Sequence, residues 1–144
     1  YSGNAGLAHQ FEAVCETMKA LRDDERIAFL FVGGGPRRAE IEAFAEAEGL
    51  TNVRFLEYFP REQLAESLSL GDAHLLTLRD DFAGIAAPSK LYGIMAAGRP
   101  TVMVGPEESE PADALEHYTS ALHLNKNVGV KAKINALTKK LEAS

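Results

Sequence analysis

Ile27-Ala28-Phe29-Leu30-Phe31-Val32, followed at once by Gly33-Gly34-Gly35-Pro36, is the stretch that decides the fold. An apolar run with no polar alternation reads as a strand buried on both faces, as in parallel sheets. The glycines and proline then turn the chain sharply, and Gly34 or Gly35 suits the positive φ such a turn needs. Behind the turn, Ile41, Phe44 and Ala45 mark a helical face that ends near Gly49. Strand, glycine turn and helix form one unit of α/β alternation.

The alternation extends in both directions. Upstream, Leu7, Phe11, Val14, Cys15, Met18 and Leu21 recur at the spacing of one helical face. Downstream, the pattern predicts a strand over 53–56, a helix over 60–70, a strand over 73–78 and a polar, Gly-containing loop over 79–87. A helix opening at Pro88 and a strand over 101–104 follow. Further on come a helix over 108–118, a short strand over 121–124 and a closing amphipathic helix marked by Val130, Ile134, Leu137 and Leu141. Strands alternating with helices of this length imply an α/β, Rossmann-like parallel sheet with helices on both faces.

With 144 residues, 46% of them hydrophobic, the chain can build one sizeable core but not two domains, so residues 1–144 read as a single domain. A net charge of −6 with no basic run argues against nucleic acid or an anionic membrane surface as a partner, so any anion site must be local. Cys15 is the only cysteine, which excludes an internal disulfide and fits a reducing, cytoplasmic setting. Neither a signal peptide nor an apolar run of bilayer length appears. The chain opens on a turn-like Tyr1-Ser2-Gly3-Asn4-Ala5-Gly6 with no strand ahead of it, so a piece of a longer protein is expected.

Chemistry concentrates in Ala87-Pro88-Ser89-Lys90-Leu91-Tyr92-Gly93-Ile94-Met95-Ala96-Ala97-Gly98-Arg99-Pro100. Pro88 suits the first position of a helix, where the N–H groups of Ser89, Lys90 and Leu91 lack intrahelical partners and can bind an anion beside the Lys90 ammonium. An ordinary Pro-started helix with a solvated Ser and Lys fits the same pattern. His9, beside the first turn on the expected first helix, is a candidate donor to a phosphate or sugar, or else a solvated helix-face histidine. Gly33 to Arg38 resembles the start of a dinucleotide fingerprint, with Arg38 where the third glycine belongs and Glu57 at about the distance of a ribose-binding acid. No metal-ligand spacing, P-loop ending or Gly-x-Ser-x-Gly elbow is present.

Tyr1 to Gly6, the Phe31 to Pro36 turn, Asn52 to Leu56, Pro88-Ser89-Lys90-Leu91-Tyr92 and Ala96 to Pro100 occur together, in this order, in one family. Over about residues 1–118 the chain resembles the C-terminal, donor-binding half of GT-B glycosyltransferases of the group 1 type, family 4, near the colanic acid biosynthesis branch. The resemblance implies one half of a GT-B fold. Its nucleotide-sugar donor would be a UDP- or GDP-sugar, and an N-terminal domain absent from this chain would hold an acceptor glycan or glycolipid. It also implies glycosyl transfer with retention, without a metal or other cofactor, in bacterial surface polysaccharide assembly. The isolated domain would then be inactive, and any membrane association would come through the other domain. By resemblance Ser89, Lys90 and Leu91 hold the diphosphate, Gly3, Asn4 and Gly6 approach it from the other side, and Glu57, Tyr58 and Phe59 meet the base. No catalytic residue is assigned.

Asn4 and His9 stand where many members carry Arg and Lys, and Ile85 and Gly93 where many carry two glutamates, the second contacting ribose. A carboxylate restored by Gly93→Glu is expected to tighten nucleotide binding. The alternative function is a non-catalytic Rossmann-like module for another phosphorylated ligand; an NAD-dependent dehydrogenase ranks behind it because of Arg38.

Overall fold

Two parallel strand pairs carry the architecture of this computed structural model, which describes residues 1–85, 90–106, 109 and 111–115. Helix α1 (Glu12–Ala20) leads to strand β1 (Phe29–Val32), and α2 (Arg38–Ala47) returns the chain to β2 (Val53–Leu56). β1 and β2 pair in parallel, Phe29 opposite Val53 through Val32 opposite Leu56. After a 3₁₀ turn at Arg61–Gln63 come α3 (Leu64–Ser69), β3 (His74–Thr77), α4 (Lys90–Ala96) and β4 (Thr101–Val104). β3 and β4 also pair in parallel, His74 opposite Thr101 through Thr77 opposite Val104. The expected α/β, Rossmann-like class holds, with parallel strands flanked by helices. Among the described residues the strands form two pairs rather than one continuous sheet.

The segment before α1 joins the two pairs. Tyr1 to Gly3 runs parallel beside β1: Tyr1 N donates to Leu30 O, Val32 N to Tyr1 O and Gly3 N to Val32 O, at 2.8 to 2.9 Å. A few residues on, the chain turns to β3, where Arg79 N donates to Ala8 O and the Gln10 amide to Leu78 O. Those contacts explain why the first helix starts later than its apolar spacing suggests. Ala8, His9 and Gln10 commit their polar groups to the end of β3 and to Arg37, which donates to His9 O. Leu7 is therefore outside α1 and 65% exposed, and His9 also precedes the helix.

Burial explains the remaining elements. Phe11, Val14, Cys15 and Met18 of the α1 face meet Phe31, Ile41, Ala45 and Val53 in one core. Each fully buried apolar side chain there contributes about 1.5 to 3 kcal/mol. Burial also pushes the Cys15 thiol up to about 11, with Glu12 and Glu16 adding to it. Leu76, Leu78, Leu91 and Ile94 are almost wholly enclosed along β3 and α4. The strand expected from residue 27 begins at Phe29, because Ile27 N closes a turn onto Asp24 O. Gly98, at φ +65°, ends α4 where expected. Residues 111–115 are helical, within the helix expected over 108–118. The expected helix start at Pro88 and Ser89, the strand over 121–124 and the closing helix lie outside the described residues.

Candidate functional site

Three turns meet where the parallel strands end: residues 3–6 beside β1, residues 33–35 after β1 and residues 57–59 after β2. Their backbones are in contact, with Ala5 N donating to Gly34 O at 2.7 Å and Gly33 N to Leu56 O at 3.0 Å. Gly33 and Gly35, rather than Gly34, take the positive φ, +114° and +118°. A Cβ on Gly33 would sit 2.5 Å from Gly3 O; one on Gly35 would sit 2.6 Å from Ala5 N. Both glycines are thus required by the approach of one turn to another.

Lys90 reaches this junction from the first described turn of α4. Its Nζ donates to Tyr1 Oη at 2.5 Å, lies 3.8 Å from the centre of the Tyr1 ring and comes within 3.5 Å of His9 Nε2. A Cβ on Gly3 would stand 3.5 Å from the same ammonium. The Tyr1 hydroxyl in turn donates a hydrogen bond to Asn4 O at 2.7 Å. His9 Nδ1 is 2.5 Å from Thr77 O. A carbonyl only accepts, so Nδ1 carries the hydrogen and Nε2 turns its lone pair toward Lys90.

Among the described residues no carboxylate forms an ion pair with Lys90. Burial alone pushes its ammonium down to about 7. His9 is lowered too, first by burial and then by the Lys90 charge, against the Thr77 hydrogen bond, which acts in the other direction. Burial, with Tyr58 nearby, raises the Tyr1 phenol. A half-buried cation held, among the described residues, by neutral acceptors keeps part of its desolvation cost uncompensated, and a neighbouring anion would offset it.

Gly3, Asn4, Gly6, His9, Tyr58 and Lys90, expected in the site from sequence, are brought together here. Glu57 adjoins them: its carboxylate, 85% exposed, lies 3.2 Å from Arg38 Nη1. Arg38 thus pairs with Glu57 at the place the dinucleotide pattern reserves for glycine. Phe59 is half-buried and has no hydrogen bond or ring contact with the cluster. Leu91 buries its side chain in the core, which restricts any ligand contact to its main chain. Ser89 lies outside the described residues. A Cβ on Gly93 would start 3.4 Å from Leu68 Cδ1, on the side of α4 that faces α3. Three supporting residues escaped the sequence reading. Tyr1 and Thr77 hold Lys90 and His9, and Arg37 fixes His9 O at 2.7 Å while its other nitrogens meet Glu12 and Glu40. An arginine directly after a glycine turn was the one signal available for them.

The parallel strands flanked by helices, with three turns meeting at the strand ends, define a Rossmann-like α/β domain. The family model described as Glycosyl transferases group 1 matches residues 2–142, and the chain belongs to that family. It is 34% identical over 118 residues to Escherichia coli (strain K12) WcaI, named as a colanic acid biosynthesis glycosyl transferase, covering 82% of this chain and 29% of that protein. It is 27% identical over 104 residues to Pseudomonas aeruginosa WbjE, named as a glycosyltransferase, covering 72% and 26%. A 2-deoxystreptamine glucosyltransferase of Streptomyces kanamyceticus is 32% identical over 94 residues, covering 64% and 24%. The chain thus spans less than a third of the length of each of these relatives. Among the described residues no helix is long and apolar enough to cross a membrane.

Proposed function

We propose that this domain is the donor-binding, C-terminal half of a retaining, family 4-like GT-B glycosyltransferase working in the cytoplasm on bacterial surface polysaccharide. Its ligand is a UDP- or GDP-sugar. The diphosphate rests on the Lys90 ammonium, with His9 and the Gly3 to Gly6 turn beside it and the base toward Glu57 and Tyr58. The observation that supports this reading is the half-buried Lys90, which among the described residues has no carboxylate partner, at the junction of two glycine turns.

The chemistry follows from charge. When the bond from the anomeric carbon to the diphosphate breaks and a bond to an acceptor hydroxyl forms, negative charge grows on the departing phosphate oxygen. A preorganised ammonium there stabilises it without reorganisation. The acceptor is held by a separate N-terminal domain, so this chain alone binds donor and performs no transfer.

Titration of pyrophosphate, UDP, GDP and NAD against wild type and Lys90→Ala tests the reading. At least one nucleoside diphosphate is expected to bind more tightly than NAD. Lys90→Ala is expected to weaken it by about 1.5 to 3 kcal/mol, the scale of a hydrogen bond to a charged group. Equal binding by wild type and mutant would remove Lys90 from the site, and multiple-turnover sugar transfer by the 144-residue chain would refute the division of labour.

A further inference from the structure

We infer that Tyr1 and His9 are positioning residues for Lys90: each turns an acceptor toward the ammonium, and together they leave one of its three hydrogens for a ligand oxygen. The assignment rests on Lys90 being the anion-binding group and says how that group is aimed. An ammonium has three hydrogens and no lone pair. One is taken by Tyr1 Oη at 2.5 Å. A second is directed at His9 Nε2 at 3.5 Å, the long limit of a hydrogen bond. Among the described residues Nζ has no third acceptor. Gly3 keeps another side clear, since a Cβ there would stand 3.5 Å from Nζ and 3.6 Å from Cε.

Both neighbours are locked into the accepting role by bonds made elsewhere. The hydroxyl hydrogen of Tyr1 goes to Asn4 O at 2.7 Å, so only lone pairs of that oxygen face the lysine. His9 Nδ1 lies 2.5 Å from Thr77 O and 3.1 Å from Thr77 Oγ1, which fixes the ring hydrogen on Nδ1 and leaves Nε2 bare. An oxyanion set against Nε2 would meet lone pair with lone pair. Neutral His9 is therefore no donor to a phosphate, and it acts on a ligand through Lys90. The two rings are themselves braced. Tyr1 stands edge-on to His9 and to Phe11, with centroids 5.6 and 5.1 Å apart, and Arg37 holds His9 O at 2.7 Å. The Tyr1 ring adds a cation–π contact with Nζ 3.8 Å from its centre. Ordering a long, flexible side chain before the ligand arrives removes that cost from binding.

The test titrates pyrophosphate at pH 7.5 into the 144-residue chain and its Tyr1→Phe, His9→Leu, His9→Gln and Lys90→Ala variants. NMR follows the His9 ring nitrogens and the Lys90 Cε. In the wild type His9 is expected to keep its hydrogen on Nδ1 and none on Nε2, both free and saturated with pyrophosphate. Tyr1→Phe, which keeps the ring and loses the acceptor, and His9→Leu should each weaken binding roughly three- to tenfold, the scale of one hydrogen bond. His9→Gln, whose amide oxygen can replace Nε2, should recover most of the loss. In the two weakened variants the midpoint of the Lys90 titration should move down, because a lost acceptor disfavours the charged form. Loosened packing would instead expose the lysine and move it up. The other titratable groups near Nζ are the His9 imidazole, the Tyr1 phenol and the Tyr1 main-chain amine, all neutral at this pH. A proton arriving on His9 Nε2 with the ligand would make His9 a direct donor and overturn the assignment. Wild-type affinity in Tyr1→Phe or His9→Leu, with Lys90→Ala still weakened, would overturn the positioning role and leave the anion reading standing. If Lys90→Ala binds pyrophosphate as the wild type does, both fall together.

Discussion

The Gly33 to Gly35 turn and the Lys90 corner touch the same residues, yet only one of them is explained by the fold. At the turn every constraint has an internal cause. Gly33 and Gly35 carry positive φ, and their missing side chains leave room for Gly3 and Ala5. At the corner a lysine is half-buried against a phenol and an imidazole, with no opposite charge beside it among the described residues. A glycine-rich turn is what a reader of sequences takes for a ligand motif, but here packing accounts for it. The lysine is the part that folding alone does not explain, so evidence for function lies there.

This contrast is broken first by mutating each side. Gly35→Ala should destabilise the domain by about 3 kcal/mol or more, because a Cβ would add strain at positive φ and meet main chain as well. Thermal unfolding checks it, and a loss under 1 kcal/mol would mean that the two turns are not packed as described. Lys90→Met should act in the opposite sense on stability. Removing a half-buried charge while keeping apolar bulk should hold or raise the melting temperature, while nucleoside diphosphate affinity falls by about 2 kcal/mol. A mutant that loses stability and affinity together would make Lys90 a structural residue.

The difference between the two regions also marks what the sequence could disclose. β2 and β4 begin and end where the apolar runs over 53–56 and 101–104 do. The glycine turn was legible as a turn, though not which glycines bend, since that depends on Gly3 and Ala5 some thirty positions away. Lys90 was legible as a cation in a Pro-Ser-Lys pattern. Its burial was not, because its partners Tyr1 and His9 are 89 and 81 positions away. His9 looked helical for the same reason: the bonds to Thr77 and Arg37 that hold it outside α1 are long-range.

The pH dependence of binding sharpens the comparison by a smaller effect. In the unliganded domain Lys90 loses its proton through about 7. A bound diphosphate favours the charged form, so affinity is fully present below that value and falls as pH rises through it. Between pH 7 and 8 the loss should be about fivefold, with proton uptake visible on titration in buffers of different ionisation enthalpy. His9, lowered from its ordinary value, is neutral across this window and adds nothing to it. Stability runs the other way. The unfolded lysine keeps its proton to its ordinary value, so the unfolded state binds more protons above 7, and this group's contribution rises with pH. A pH-independent affinity between 6.5 and 8.5 would show that Lys90 is already charged in the free domain.

The smallest expected effect concerns Gly93, where family resemblance and local geometry part. Resemblance puts a ribose-binding glutamate at this position, so a restored carboxylate ought to tighten a nucleotide. The direction of the Cβ argues otherwise, since it starts 3.4 Å from the flexible end of Leu68 and on the α3 side of the helix. A carboxylate leaving there must bend back around α4 to reach a ligand at Lys90, and it would be drawn past a buried apolar side chain. Gly93→Glu should therefore leave GDP affinity within about twofold, a change under half a kcal/mol. Gly93→Ala serves as the structural control. Its methyl group makes an ordinary contact with Leu68, and the gain in helix propensity should stabilise the domain by up to about 1 kcal/mol. Tighter GDP binding in Gly93→Glu, with pyrophosphate unchanged and Gly93→Ala neutral for both ligands, would show that the side chain does reach a ribose. The Leu68 side of α4 would then have to open when the nucleotide binds.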